Sequence, residues 1–468
     1  MVSVFILPVL GVGGVLLTPR AATMRLWKTG LEWAIFTLVG VILLWSVGGQ
    51  SRFEWVFNVE PGWGYVVLGS DGVSSFFTLL TGLLTVVCVL ISARAIKYLV
   101  KEFLVCLFLL ELLLIGVFTI RDLVGFYIFF EGVLIPMFLI IGVWGAREAK
   151  IRASYYFFFY TFLGSVFMLL SIFTLYSLTG VTDFQVLCNL KMDVGLQYWV
   201  FGGFFLSLAI KIPKMPVHIW LPLAHTEAPL AGSVLLAGVL LKLGGYGLVR
   251  FMWPLFPCAA DYWGPLVATL CLLAVFYGGL TTTRQVDFKR LIAYSSVAHM
   301  GLVVLGLISH TPQGIVAAIY LMVAHGLVSP ALFIAVTLLY DRHYTRLIKY
   351  YRGVAITMPL FGVLFLVLIL ANASIPLSCG FIGEFYSIWA AFEYSLVTGV
   401  LVCGGIVISA GYSIYAYNRV CLGGFSKHLF FSRDLNRREF NSLLPLVISI
   451  VVWGLFPCVI VDRIGVLH

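Results

Sequence analysis

The sequence predicts an all-α polytopic transmembrane bundle of about fourteen helices, the seventh and twelfth of them broken. Three observations carry this. Hydrophobic residues make up 62% of the 468-residue chain and charged residues only 10%, with a mean hydropathy of +1.07; a water-soluble core cannot hide so much apolar surface. Apolar runs of bilayer-crossing length, about 20 residues each, recur from end to end. Two of these runs are interrupted by prolines and polar residues.

The runs centre near Leu10, Val39, Leu83, Leu110, Leu134, Met168, Leu206, Leu236, Leu272, Val303, Ala324, Leu366, Gly405 and Ile450. Basic residues test that count, because one span more or fewer reverses the side of every later loop. Loops after odd-numbered spans carry Arg20, Arg25 and Lys28; Arg94, Lys97 and Lys101; Arg147, Lys150 and Arg152; Arg284, Lys289 and Arg290; Arg342, Arg346, Lys349 and Arg352; and Arg419, Lys427, Arg433, Arg437 and Arg438. The other side holds Arg52, Arg121, Lys191, Arg250 and Arg463, a ratio of 21 to 5. The odd-span loops are therefore expected in the matrix or cytoplasm, with both termini on the opposite face. Lys211, Lys214 and Lys242 belong to neither set.

The first run, Val2 to Leu17, has no basic leader before it and basic residues after it, so it reads as a retained span rather than a cleaved signal. No Arg- and Ser-rich transit segment precedes it, and a mitochondrial chain of this kind is expected to be made inside the organelle. The net charge of +9 is dispersed over short loops, which points to membrane topology and away from nucleic acid. Nine cysteines form no C-x-x-C pair, so neither an iron–sulfur nor a zinc site is indicated. Gly11-Val-Gly-Gly14 follows no strand and is not a dinucleotide loop. The aromatic run from Tyr155 to Tyr160 reads as an interfacial belt.

In the seventh run, Lys211-Ile-Pro213-Lys-Met-Pro216 places two prolines where each removes a backbone donor. Asn372-Ala-Ser-Ile-Pro376-Leu-Ser-Cys-Gly380-Phe-Ile-Gly383-Glu384 interrupts the twelfth. Irregular backbone at membrane depth survives only where protein or a water-filled cavity satisfies it. Taking spans four to eight and nine to thirteen as two units, the broken helix is fourth in each. Five is odd, so consecutive copies have opposite orientation, the pattern of an inverted-repeat transporter with a midplane path. The chain then divides into N-terminal helices (1–100), two inverted five-helix repeats (101–255 and 256–420), and a C-terminal loop and last helix (421–468), all within a single integral membrane domain.

A charge at the bilayer centre costs about 2.5–3.5 kcal/mol, so one retained there needs a partner, water or a task. Glu111, Glu131, Lys211, Lys242 and Glu384 lie within the runs, as do His299 and His325. Glu, Lys and His together supply what a proton relay requires. A carboxylate moving toward or away from a buried lysine loads or releases its proton; Glu131 is the candidate modulator and Lys211 the lysine it acts on, against the simpler reading of a static buried pair. Lys242, in Leu240-Leu-Lys-Leu-Gly-Gly-Tyr, is too deep to snorkel easily. His299 and His325 are weighed against ordinary packing histidines, while His218 and His225 read as structural or loop residues. Glu111 has no partner that spacing can name.

The stretch from Lys211 through His218, Pro222, His225 and Pro229 to Ser233, followed by Leu240-Leu-Lys242, closely resembles the proton-pumping antiporter-like subunits of respiratory complex I. The form Ala-His225-Thr-Glu-Ala-Pro229, with Phe126-Tyr-Ile-Phe-Phe-Glu131 and Gly380-Phe-Ile-Gly-Glu384-Phe, is similar to the subunit-4 branch of that family. The resemblance covers nearly the whole chain. It implies a coupling pair Glu131 and Lys211, a central polar axis of Lys242, His299 and His325, and a terminus at Glu384. It also implies that NADH, FMN, iron–sulfur clusters and quinone are bound by other subunits, with no cofactor or metal on this chain.

Expected partners are the other complex I membrane-arm subunits, including antiporter-like paralogues, together with accessory subunits and membrane lipids such as cardiolipin. The expected location is the mitochondrial inner membrane, or the inner membrane of a bacterium. Two features depart from the family pattern: Glu111, and a basic, Phe-rich loop from Arg419 to Arg438 suited to anionic lipid or an accessory subunit. Two other readings stand beside the pump. One is a subunit of a multi-subunit sodium/proton antiporter, which shares the same Lys and Glu pattern. The other is a scaffold whose buried charges only fix helix packing.

Overall fold

The computed structural model describes residues 2–47, 55–59 and 66–464. Within them, twelve helices are long and apolar enough to cross a membrane, and two shorter apolar helices, Val2–Leu17 and Pro359–Asn372, bring the successive apolar segments to fourteen, the number predicted from the sequence. The first six are Val2–Leu17, Thr23–Val47, Gly72–Ala95, Val100–Thr119, the pair Leu123–Gly132 and Leu134–Trp144, and Lys150–Thr179. The seventh is Val194–Lys211 with Trp220–Glu227, and the eighth runs from Leu230 to Leu255. Pro257–Thr283, Phe288–Ile308 and Pro312–His343 follow, then the twelfth as Pro359–Asn372 with Cys379–Tyr394, and finally Leu396–Cys421 and Arg437–Leu455.

One element the sequence did not announce is an antiparallel hairpin, Trp55–Val59 (β1) paired with Val66–Ser70 (β2) between the second and third spans. Its second strand also bridges Ile120 in the loop after the fourth span. A two-stranded ribbon is marginal alone, and this one borrows its support from the bundle end on which it lies.

Both predicted breaks are present, and the backbone accounting shows how they are tolerated. Pro213 has no N–H to give Ala209, so the Lys214 N–H bonds the Ala209 carbonyl at 2.9 Å instead. That shift frees the Ile210 carbonyl, which accepts the Trp220 indole N–H at 2.9 Å. At the twelfth-span break, Ile375 N–H bonds Leu370 O at 3.1 Å, and the Asn372 amide donates to the Ser413 hydroxyl at 2.9 Å on the next span. The backbone groups freed at the breaks thus find partners inside the protein, as hydrocarbon demands, while Asn372 fastens the second break to its neighbour.

The eighth span departs from regularity in a way the sequence did not forecast. Its turns at Leu236–Leu240 and Leu248–Met252 widen to i→i+5 pairing, a feature that often marks a functional position. Gly238 sits in the first wide turn, where an added Cβ would stand 2.2 Å from Leu84 Cδ1 and 3.1 Å from Pro330 Cγ. The eighth, tenth and eleventh spans are enclosed by their neighbours almost throughout; they are apolar on every side because every side faces protein. The sixth, by contrast, turns Tyr155, Phe159 and Phe162 outward, in keeping with the aromatic belt expected there.

The loops sort by parity. A cavity of about 830 Å³ at one end is lined by Arg94, Trp144, Pro229, Lys289, Arg346 and Arg433, from six different odd-span connections. At the other end, even-span connections meet: Asp122 bridges Asp183, and Arg250 pairs with Asp71 at 2.8 Å, both side chains under 10% exposed. Arg250 thus lies buried in the last turns of the eighth span rather than in a loop. Asp71 also caps the third span, accepting from the Ser74 N–H at 2.9 Å. Burial alone would raise the Asp71 carboxyl, but the Arg250 guanidinium and the Ser74 hydrogen bonds outweigh it and hold it below the usual carboxylate range.

Asp71→Asn, which leaves the Arg250 guanidinium without its carboxylate, is expected to destabilise the detergent-solubilised protein by about 3–5 kcal/mol. Because the folded carboxyl titrates below its ordinary value of 3.8, this contribution is complete above that value and is lost as pH falls through the depressed one. Thermal unfolding midpoints at neutral and acid pH measure it; equal midpoints for the variant and the native protein at neutral pH would remove the pair from the forces holding that end.

Candidate functional site

The six residues singled out from the sequence fall into two groups. Glu131 closes the first half of the fifth span, beside Phe130, and Lys211 is the last residue before the seventh-span break. Lys211 is 2% exposed, and its ammonium has no hydrogen-bond partner among the described residues but lies 4.5 Å above the centre of the Phe130 ring. No direct ion pair within 4 Å joins it to Glu131 among the described residues, yet the two are near enough to interact electrostatically. The aromatic face partly replaces a carboxylate, and one Glu131 oxygen is buried and unpartnered. The pair is thus farther apart than ion-pair distance in this structure.

The second group is continuous. Lys242, fully buried on the eighth span, reaches back to the Ala237 carbonyl that the wide turn leaves accessible, and stands 2.7 Å from His325 Nδ1 on the eleventh span. A protonated Lys242 donates to that nitrogen and so places the ring hydrogen of neutral His325 on Nε2. The His325 and His299 ring centres are 5.7 Å apart. His299, on the tenth span, brings Nδ1 within 3.1 Å of Glu384 Oε1 on the second half of the twelfth. Lys242, His325, His299 and Glu384 are each at most 6% exposed.

Glycines set these distances. A Cβ on Gly326, next to His325, would meet the Gly238 carbonyl at 3.1 Å and Lys242 Cε at 3.5 Å. A Cβ on Gly383, next to Glu384, would lie 2.9 Å from the Cα, Cβ and N of Leu321. On Gly244 it would lie 3.2 Å from Lys211 Cβ and 3.0 Å from Leu208 O. The spans bearing these residues therefore approach backbone to backbone at the rungs where the titratable groups meet.

His225 was read as a structural residue, and the structure gives it a less ordinary setting. It is fully buried, both ring nitrogens lack partners, and it stacks on Phe333 with centroids 4.4 Å apart. It lies within electrostatic reach of Lys242 and Lys289, and His325 lies within reach of it. Lys289, counted as a loop cation from the sequence, is buried in the first turn of the tenth span, bonds Ala228 O at 3.3 Å, and lines the basic-end cavity. The available signal for His225 was its place one turn past the break. His218 keeps a packing role, edge-on to Tyr277. Glu111 accepts from the Thr85 hydroxyl at 3.0 Å, a partner that spacing could not name, and has no ion-pair partner among the described residues.

A helical membrane bundle with two interrupted spans and a row of buried lysines, histidines and glutamates across its enclosed helices is built as an ion-translocating membrane protein. The chain belongs to the NADH:quinone oxidoreductase/Mrp antiporter transmembrane family, whose model matches residues 121–409 and so includes all six candidate residues. It is 58% identical to NADH-ubiquinone oxidoreductase chain 4 of Metridium senile, over 98% of this chain and 96% of the relative. It is 46% identical to the protein of that name from Chondrus crispus, over 96% and 93%. Among solved structures it resembles a chain of respiratory complex I from Thermus thermophilus with bound NADH, with TM-score 0.90 and 31% identity over 99% of this chain and 97% of the other. A chain of the Mrp complex from Dietzia sp. DQ12-45-1b shares the fold at TM-score 0.89, but only 18% identity, over 99% and 96%. The complex I reading is thereby favoured over the sodium/proton antiporter.

Gly383→Ala is expected to push the second half of the twelfth span away from Leu321, at a cost of about 1–3 kcal/mol, and to lengthen the Glu384–His299 contact. Proton transfer by the assembled complex should fall while the complex still forms. Unchanged transfer would mean that this contact is not limiting.

Proposed function

We propose that this chain is a proton-translocating membrane-arm subunit of NADH:quinone oxidoreductase, moving protons through a midplane relay of Glu131, Lys211, Lys242, His325, His299 and Glu384. The observation that carries the reading is the buried series of titratable side chains from Lys242 Nζ through His325 and His299 to Glu384. Lys242 and His325 are hydrogen-bonded, while the 5.7 Å step between the rings and the His299–Glu384 contact need a side-chain swing or a bridging water to carry a proton. NADH, FMN, iron–sulfur clusters and quinone are assigned to other subunits, so the energy reaches this chain without redox chemistry on it.

Two states of the first pair account for the work. In one, Glu131 stands off from the Lys211 ammonium, as in this structure; in the other, it closes on it as a direct ion pair. His225 and Lys289 form a branch from Lys242 to the basic-end cavity, which serves as the aqueous antechamber on the side of the odd-span loops. Division of residues 101–255 and 256–420 into inverted repeats places one break in each, so both halves bring an irregular segment to the middle of the membrane. The subunit works within a multi-subunit membrane complex beside antiporter-like paralogues. Its setting is the mitochondrial inner membrane, with accessory subunits and an anionic lipid such as cardiolipin at the basic loop from Arg419 to Arg438.

Glu131→Gln and Lys211→Ala are each expected to lower proton transfer by at least about tenfold, the scale on which a positioned proton donor or acceptor acts. Lys191→Ala, at an exposed loop position, should leave it intact. The readout is proton uptake into vesicles holding the purified complex during NADH oxidation. Full pumping by Lys211→Ala would reduce the buried charges to a packing device and end this reading.

A further inference from the structure

Lys214 is the charged residue of the seventh-span break for which the relay has no use. Its side chain is 1% exposed, and its ammonium lies 3.1 Å from Met300 O, 3.4 Å from Gly301 O and 3.2 Å from Cys271 Sγ. No carboxylate comes within 4 Å of it among the described residues. Met300 directly follows His299. The landing site is a close approach of two helices: a Cβ on Gly301 would stand 2.9 Å from Val275 Cγ2 and 3.2 Å from Cys271 O, so the ninth and tenth spans meet almost backbone to backbone there.

Lys214 is held at both ends. Its N–H replaces the bond that Pro213 cannot make to Ala209, three residues beyond Lys211, and its side chain grips the tenth span beside His299. The two carbonyls sit in mid-helix, and each has a second lone pair to offer. A lysine placed here for stability alone makes little sense, because an apolar side chain of similar volume avoids the desolvation that these neutral partners only partly offset.

We propose that Lys214 is a positioning residue that ties the seventh-span break to the tenth span beside His299, so that displacement of Lys211 on pairing with Glu131 is passed to the His299–Glu384 end of the relay. The inference rests on the proton-translocating function proposed above. It supplies the link that hydrogen bonds omit, since among the described residues the Lys211 ammonium bonds no member of the second group. The transmitting element is the irregular segment itself, which has fewer ladder bonds to resist a small shift than a continuous helix has.

The test uses the assembled complex carrying Lys214→Met, Lys214→Gln or Lys211→Ala, with NADH-driven quinone reduction and the proton-to-electron ratio in vesicles as readouts. Lys214→Met should assemble and reduce quinone normally but lose part of the proton-to-electron ratio. Lys214→Gln, whose amide donates to the same carbonyls, should recover most of that loss. A native ratio in Lys214→Met, failure of Lys214→Gln to improve on it, or failure of both variants to assemble would overturn the proposal. Full pumping by Lys211→Ala would instead sink the underlying function, whereas loss in Lys211→Ala with none in Lys214→Met would sink the tether alone.

Discussion

Inside hydrocarbon, a peptide group or a charge that the chain exposes must be answered by the chain itself. Each unusual feature of this bundle is a local solution to that constraint. Where Pro213 removes a donor, the next residue's N–H takes over, and the carbonyl left behind accepts the Trp220 indole. Where the twelfth span unwinds, Asn372 ties it to Ser413. The wide turn around Gly238 leaves a carbonyl for Lys242. At Lys242 charge and irregular backbone meet directly, the carbonyl in the wide turn accepting from the ammonium.

This arrangement gives the relay its chemical character. Lysine, histidine and glutamate are enclosed by the most buried spans, where a charge is weakly screened and interacts strongly with its neighbours. The contacts are unequal: Lys242 and His325 share a short hydrogen bond, His299 and Glu384 a longer contact, and Glu131 and Lys211 no direct one. A pair held apart responds to small movements more readily than one already locked, and the switching step of the proposed function rests on Lys211 for that reason. Close packing at Gly244, Gly326 and Gly383 makes those distances properties of the backbone.

Much of this was legible in the sequence because membrane insertion is a one-dimensional problem. Span number, the alternation of loops and both breaks follow from hydropathy, basic residues and proline, each of which acts within about 20 residues. Glu131, Lys211, Lys242, His299, His325 and Glu384 stood out because charge is rare in apolar runs. The hairpin at 55–70 went unread because its stability comes from the bundle end, as did the wide turns of the eighth span, which Gly238 permits but does not announce. His225, Lys289 and Arg250 were placed in loops or packing roles because they lie near span ends, where only the packed neighbours reveal burial.

By itself the sequence determined that the chain crosses the membrane many times, which spans are interrupted, and which side chains carry charge at depth, since all three depend on the order of residues along one segment. Only the tertiary structure decided the partners: Thr85 for Glu111, Phe130 above Lys211, His325 for Lys242, and the Met300 and Gly301 carbonyls for Lys214. Those pairings join residues up to 87 positions apart. Their distances are fixed by how the helices pack, which no single segment records.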